Sequence, residues 1–398
     1  MKFIRKILEL GLLFAALVML GCASAPLHKQ VPAELADQVE IPGIPDARFW
    51  GDEYPRYTRA LLLNSTDEMI KERNLSIYGV PHNYLAISGG GANGAFGAGL
   101  LYGWTQAGTR PEFTMVTGVS TGALIAPFAF LGPEYDEQLK AVYTTTTTDQ
   151  IARKRWLISA LFSDSIADTT PMAELIASYI TPTMVEKIAQ EHNKGRRLLI
   201  GTVNLDAGRT VIWNIGAIAK SEHPDKVHLI HKIMRASASV PVAFPPVYFE
   251  VENNGMTYNE IHVDGGTGSQ VFVYPVEIDW AEVLDKLKVP GKPNVYIIRN
   301  SYINPTYEIK RYKLINIAGR TISSLIRTQG LGDLYEIYSL CQRDGTEFNL
   351  AYIPSTFKHE KTEGFDPVFM GELFDVGYEL AIAGVDWRKG PPGFEKNN

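Results

Sequence analysis

Residues 87–99 read "ISGGGANGAFGAG", and six of these thirteen residues are glycine. Gly89, Gly91 and Gly94 satisfy G-x-G-x-x-G, so a pyrophosphate is one candidate for what the loop holds. A short-lived oxyanion is the other. Both are anions that bare backbone N–H groups at a helix N-terminus can bind. Tyr84–Ile87 reads as a short strand and Gly94–Gln106 as a helix ending before Gly108, so the loop joins a strand to a helix.

The following unit decides between the two anions. Phe113–Thr117 reads as a second strand and Thr121–Leu131 as a second helix, with "TGVSTGAL" (residues 117–124) across their junction. Gly118-Val119-Ser120-Thr121-Gly122 is G-x-S-x-G, the nucleophile elbow, in its required strand-to-helix position. Such a turn strains the serine and exposes its hydroxyl. Side chains at 118 and 122 would collide with neighbouring backbone, so glycine is needed at both. A dinucleotide fold would instead close its second strand on an acidic residue about 20 positions past the glycines. Here the nearest acid, Glu112, precedes that strand, and no Lys follows the glycines as a P-loop requires. The loop is therefore read as an oxyanion loop.

Further along, Glu260–Asp264 alternates as a strand and runs into Gly265-Gly266, which places Asp264 at a strand end. Read alone, Asp-Gly-Gly is first of all a hairpin turn. Leu198–Asn204, Thr210–Asn214 and Val295–Arg299 read as strands. Val227, Ile230, Ile233 and Met234 form a helical stripe. So do Met370, Leu373, Phe374, Tyr378 and Ala381, with Pro367 after Asp366 as the helix start. The stripe Leu314, Ala318, Ile322 and Leu325 is expected in the core. Thr144–Thr148 is expected as a solvated turn before a helix near Asp149. Strand and helix alternation of this kind predicts an α/β sheet with helices on both faces.

The chain has 398 residues, 45% hydrophobic and 21% charged, with net charge −6. That suits a globular protein with a large core. Its longest basic run is Arg153-Lys154-Arg155, which argues against nucleic acid as a partner. Followed by Trp156-Leu157-Ile158, this run could dock on a membrane surface or simply mark a helix passing from exposed to buried. Two cysteines give no disulfide framework, and Cys341 reads as a small buried hydrophobe.

Residues 1–21 read as an export signal: Lys2, Arg5 and Lys6, then the apolar run Leu10–Leu20, too short to span a bilayer. Ala23-Ser24-Ala25 offers an A-x-A cleavage site and a soluble secreted product. Leu20-Gly21-Cys22 resembles the lipobox of bacterial lipoproteins and is the preferred reading, because the cysteine closes the apolar run. Cys22 would then carry the lipid and tether the protein to the cell envelope, as in a bacterial outer membrane. Pro26, Pro32, Pro42 and Pro45 make residues 22–48 the expected tether, and 49–390 the folded domain.

G-G-G-x-x-G after a strand, then G-x-S-x-G, then D-G-G, in this order, resembles the patatin-like phospholipase family. "RASASVPVAFPPV" (Arg235–Val247) and "DTTPMAELI" (Asp168–Ile176) are similar to stretches of that family too. The motifs cover roughly residues 84–280. The resemblance implies a predominantly parallel central sheet and a serine acyl hydrolase with a Ser–Asp dyad. It assigns Ser120 as nucleophile and Asp264 as base, with Gly89, Gly90 and Gly91 as oxyanion loop. Gly118 and Gly122 then belong to the elbow, and Gly265 and Gly266 to the Asp-Gly-Gly motif. Two positions depart from the common pattern: Ser88 stands where many members have Asp, and Asn93 where many have Arg. The second departure bears on phosphate-headgroup recognition more than on acyl transfer.

In this chemistry the substrate is a lipid or another carboxylic ester, and a buried carboxylate of raised pKa takes the serine proton. No metal or cofactor is required. His228 and His231, three apart on a helix, are the only pair that approaches ligand spacing. A triad in the order Ser120, Asp264, His359 is the mechanistic rival. His262 shares the strand face of Asp264 and is a second histidine to weigh. The functional rival is a catalytically idle surface lipoprotein that uses the fold for binding.

Overall fold

Along the strand Asn83–Ile87, Leu85 and Ile87 face one hydrophobic core while Tyr84 and Ala86 face another. Burial on both faces is what a near-continuous apolar strand in a parallel sheet requires. The computed structural model describes residues 29–154, 167–304, 314–359 and 362–394. Its strands are β1 (Arg48–Trp50), β2 (Asn83–Ile87), β3 (Met115–Val119), β4 (Arg153–Lys154), β5 (Ala167–Asp168), β6 (Arg197–Asn204), β7 (Arg209–Asn214), β8 (Val247–Asn253), β9 (Met256–Asp264), β10 (Asn294–Arg299) and β11 (Glu347–Tyr352). Nine of them form one sheet, with β4 and β5 paired separately.

The sheet centre, in the order β6-β3-β2-β10-β11, is parallel. Its flank is antiparallel: β7 and β9 both pair β6, β1 pairs β7, and β8 pairs β9. The expected parallel sheet with helices on both faces thus holds for the centre. The antiparallel flank follows from the hairpins 197–214 and 247–264, whose tight turns permit only antiparallel pairing.

Helices Gly94–Gln106 and Thr121–Leu131 bury Phe96, Leu100 and Ile125 against one face. Helix Leu314–Asp344 buries Leu334, Ile337 and Leu340 against the other. The expected stripe on this long helix needs correction, because Leu325 is 65% exposed. Among the described residues of this helix, the buried ones lie in its second half, Leu334, Ile337 and Leu340 included. The side chains of Leu314, Ala318 and Ile322 lie outside the described set. Helix Pro367–Ile382 starts as read, with the Asp366 carboxylate accepting from the Val368 and Phe369 N–H groups. It packs closely on Gly94–Gln106: a Cβ at Gly99 would strike the Phe374 carbonyl, and one at Gly377 the Phe96 carbonyl.

Two further readings change. The threonine run is no solvated turn: helix Asp136–Thr145 includes its first two residues, Thr146 is buried, and Thr147 caps the helix Thr148–Ile151 with a capping box. The second strand is shifted two residues past its expected position because it pairs with β6 as far as Val119 opposite Gly201. Residues 29–48, expected as tether, pack on the body. Val39, Ile41, Ile44 and Ala47 are buried, Glu40 bridges to Glu252, and Arg48 pairs with the buried Glu260. The prolines read as a tether, and the apolar residues between them still found a core. The export signal, Cys22, the A-x-A site and Arg155–Ile158 lie outside the described residues. No helix among the described residues is long and apolar enough to cross a membrane.

Candidate functional site

The carboxyl ends of β2, β3, β9 and β10 converge on one cleft of about 1930 Å³, lined by Gly89, Gly90, Gly91, Ser120, Asp264, Gln270, Arg299 and Asn300 among others. Ligands of open α/β sheets bind outside the carboxyl ends of the strands. At the end of β3 the chain turns sharply, and Ser120 takes φ 55° and ψ −125° before the helix Thr121–Leu131 begins. A non-glycine residue at positive φ is strained and needs surrounding structure to hold it. The holding is visible. The Ser120 N–H donates to Ser237 Oγ at 2.9 Å, and Ser237 donates in turn to the Gly201 carbonyl at 2.7 Å. A Cβ at Gly118 would strike the Gly122 carbonyl, and one at Gly122 would strike the Ile87 carbonyl.

Ser120 Oγ donates to Asp264 Oδ2 at 2.7 Å. Asp264 reaches it from the end of β9, whose register sets Asp264 opposite Thr202 of β6. Its other oxygen, Oδ1, accepts the Gly266 N–H at 2.7 Å. The Asp-Gly-Gly stretch is therefore a short 3-10 turn over Gly265–Thr267, capped by the Asp264 side chain, and the hairpin alternative does not apply. Burial pushes the Asp264 carboxyl up to about 6, while the hydrogen bonds from Ser120 and Gly266 pull the other way. Desolvation wins because neither donor carries a charge.

The glycine loop lies beside Ser120: a Cβ at Gly89 would stand 3.2 Å from the Ser120 Cβ. The loop's three glycines are not equivalent. The Gly89 N–H donates to the Gln270 carbonyl at 3.1 Å. Gly90 and Gly91 have no hydrogen-bonded partner for their N–H groups among the described residues. Gly91 sits at φ 56°, and a Cβ at Gly90 would strike the Asn300 carbonyl. Asn300 fastens the loop: its N–H donates to Ser88 Oγ at 2.9 Å, its Nδ2 to the Ser88 carbonyl at 3.0 Å, and its Oδ1 accepts the Gly97 N–H at 3.0 Å. Ser88 Oγ itself donates to the Gly89 carbonyl at 2.8 Å. Asn93 lines the cleft and brings no cation.

The two histidines have other partners than Ser120 and Asp264. His262 is buried, with Nδ1 at 2.8 Å from Thr202 Oγ1 and Nε2 at 3.1 Å from Glu260. Burial holds its pKa below the usual imidazole range. His359 lines the cleft but places Nδ1 at 2.7 Å from Glu372. His231 places Nε2 at 2.7 Å from the Ile180 carbonyl. Among the described residues no group of three or more His, Cys, Asp or Glu could hold a metal ion.

Sequence reasoning missed Ser237, Asn300 and Gln270. Ser237 lies in the quoted stretch Arg235–Val247 and could have been singled out there. Asn300 and Gln270 carry no local pattern.

Residues 85–277 match the family described as patatin-like phospholipase. No curated protein matches the sequence. Solved structures similar to it include the following two. "Crystal structure of VipD from Legionella pneumophila" is 13% identical, with 76% of this chain and 66% of that one covered and a TM-score of 0.38. "Human GIVD cytosolic phospholipase A2" is 11% identical, with 78% and 53% covered and a TM-score of 0.31. The chain thus spans about two thirds of the length of the first and about half of the second. With the sheet, the glycine loop and the elbow in place over the matched residues, the segment 85–277 carries a patatin-like phospholipase domain fold.

Proposed function

We propose that this protein is a serine acyl hydrolase that cleaves carboxylic esters of lipids, with Ser120 as nucleophile and Asp264 as its base. The direct 2.7 Å hydrogen bond from Ser120 Oγ to Asp264 Oδ2 carries this reading. As Ser120 attacks the ester carbonyl, its proton passes to Asp264 and a tetrahedral oxyanion forms. The N–H groups of Gly90 and Gly91 are the donors for that charge, each worth about 3–4 kcal/mol by comparison with other oxyanion holes. Protonated Asp264 returns the proton to the departing alcohol, leaving an acyl-serine. Water then attacks the acyl carbon with Asp264 again as base, and the fatty acid leaves.

The elevated Asp264 pKa supports this assignment, since an unperturbed carboxylate near 3.9 is a weak base. Phospholipids and lysophospholipids fit the cleft's charge as well as its chemistry. Arg327 and Lys358 on its wall offer cations to a phosphate headgroup in place of the one Asn93 lacks. Membrane attachment through a lipidated Cys22 remains part of the proposal. Lipid profiling of the purified protein against Ser120→Ala tests the whole reading: fatty-acid release that survives the substitution would sink it. An idle binding protein would release none in either form.

A further inference from the structure

Between the glycine loop and the Asp-Gly-Gly turn lies Gln270, which touches both. Its carbonyl accepts the Gly89 N–H at 3.1 Å, and its side-chain Nε2 donates to the Gly266 carbonyl at 2.8 Å. Its Oε1 lies 3.0 Å from where a Cβ on Gly89 would be, so the amide is wedged between the two backbones. Gln270 is itself held from behind. Asp333, on the helix Leu314–Asp344, accepts the N–H of Gln270 at 2.6 Å and of Val271 at 3.2 Å on one oxygen, Oδ2. Its other oxygen accepts from Gln329 Nε2 at 2.9 Å. One turn of the same helix is pressed against this segment: a Cβ at Gly330 would stand 3.1 Å from both Gln270 Cβ and Arg299 Nη1.

A buried carboxylate whose oxygens accept only uncharged donors is costly to desolvate, and burial raises the Asp333 pKa. Of the three hydrogen bonds that compensate that cost, the two from Gln270 and Val271 persist only while the segment 269–271 keeps this one conformation. Asp333 therefore acts as a template for the Gln270 backbone, and the Gln270 amide transmits the placement to the two loops. Reaction geometry is sensitive to such placement, since a shift of about 1 Å can cost roughly 10²-fold in rate.

We propose that Gln270, templated by Asp333, is a positioning residue that fixes the glycine loop against the turn carrying Asp264. The proposal rests on the acyl-hydrolase reading for its kinetic consequence and on hydrogen bonding alone for its structural one. The test therefore has two arms. In hydrogen–deuterium exchange of the full chain, Gln270→Ala should speed exchange in peptides covering both 85–96 and 262–272, with little change elsewhere. Asp333→Ala should do the same, and Asp333→Asn, which keeps an acceptor oxygen for the backbone, should largely restore protection. In ester hydrolysis, Gln270→Ala should lower kcat by roughly 10–10²-fold with KM within about twofold. Gln270→Glu sets a carboxylate beside Asp264 and should move the acid limb of the pH profile upward, which a packing defect would not do. Unchanged exchange in both peptides would overturn the clamp. Faster exchange with kcat within twofold of wild type would overturn its positioning role. Activity retained by Ser120→Ala would mark the failure of the hydrolase reading instead, and the exchange arm would still decide the clamp.

Discussion

Ser120 and Asp264, 144 residues apart in the chain, share a hydrogen bond of 2.7 Å with nothing interposed. On the proposed mechanism the serine proton thus has its acceptor in place before substrate arrives. A fluorophosphonate should label wild-type protein at Ser120, and Ser120→Ala should lose both labelling and ester hydrolysis. Asp264→Asn keeps the shape and removes the base, so it should lower kcat by roughly 10²–10⁴-fold.

His359→Ala separates dyad from triad. With its Nδ1 turned to Glu372 at 2.7 Å, His359 should be dispensable, and kcat should stay within a few-fold of wild type. A loss of roughly 10²-fold or more in the folded variant would make His359 the base and sink the dyad.

The pH profile follows from Asp264, whose carboxyl burial pushes up to about 6. On the proposed mechanism the active form is the ionised one. kcat/KM should therefore be level above that pH and fall about tenfold per unit below it. A profile flat down to pH 4 would contradict a base with this pKa.

The same carboxyl makes a stability prediction of definite sign. Its pKa is near 3.8 unfolded and about 6 folded, so the folded state binds the proton more tightly. The contribution to stability is full below the unfolded value and is lost as pH rises through the folded one. Above pH 6 the buried charge costs at most about 3 kcal/mol, from a shift of roughly two units at 1.36 kcal/mol each. Asp264→Asn should raise Tm at pH 7–8, with the gain shrinking toward pH 4. Thermal melts of both proteins across that range check it, and a loss of Tm at neutral pH would count against the raised pKa.

Ser237→Ala removes the acceptor of the Ser120 N–H and leaves that buried donor unmatched. The cost should be about 1–3 kcal/mol of stability. Slower fluorophosphonate labelling should accompany it, because the strained elbow loses its restraint. Denaturant melts and labelling rates together would show whether the two effects travel together.

Lipidation is tested at Cys22. Wild-type exported protein should fractionate with membranes and carry acyl chains on its N-terminal peptide, and Cys22→Ser should abolish both. A mature, unlipidated chain beginning at Pro26 would establish the A-x-A reading.

The sequence by itself determined the α/β layering, because burial on two faces leaves its mark in apolar strands and helical stripes. It also located Ser120, Gly118 and Gly122, since a strand-to-helix turn is a local event and its steric demands fall within five residues. Asp264 was legible only as a strand end followed by two glycines; the register of β9 on β6 brought it to the serine. Tertiary structure alone decided which glycine of the loop keeps a spare N–H, because Gly89 spends its own on Gln270, 181 positions away. It alone decided that residues 29–48 pack and that the antiparallel flank exists. Asn300, Gln270 and Asp333 act through hydrogen bonds between distant segments, and such bonds impose no periodicity or spacing on the chain that a reader could find.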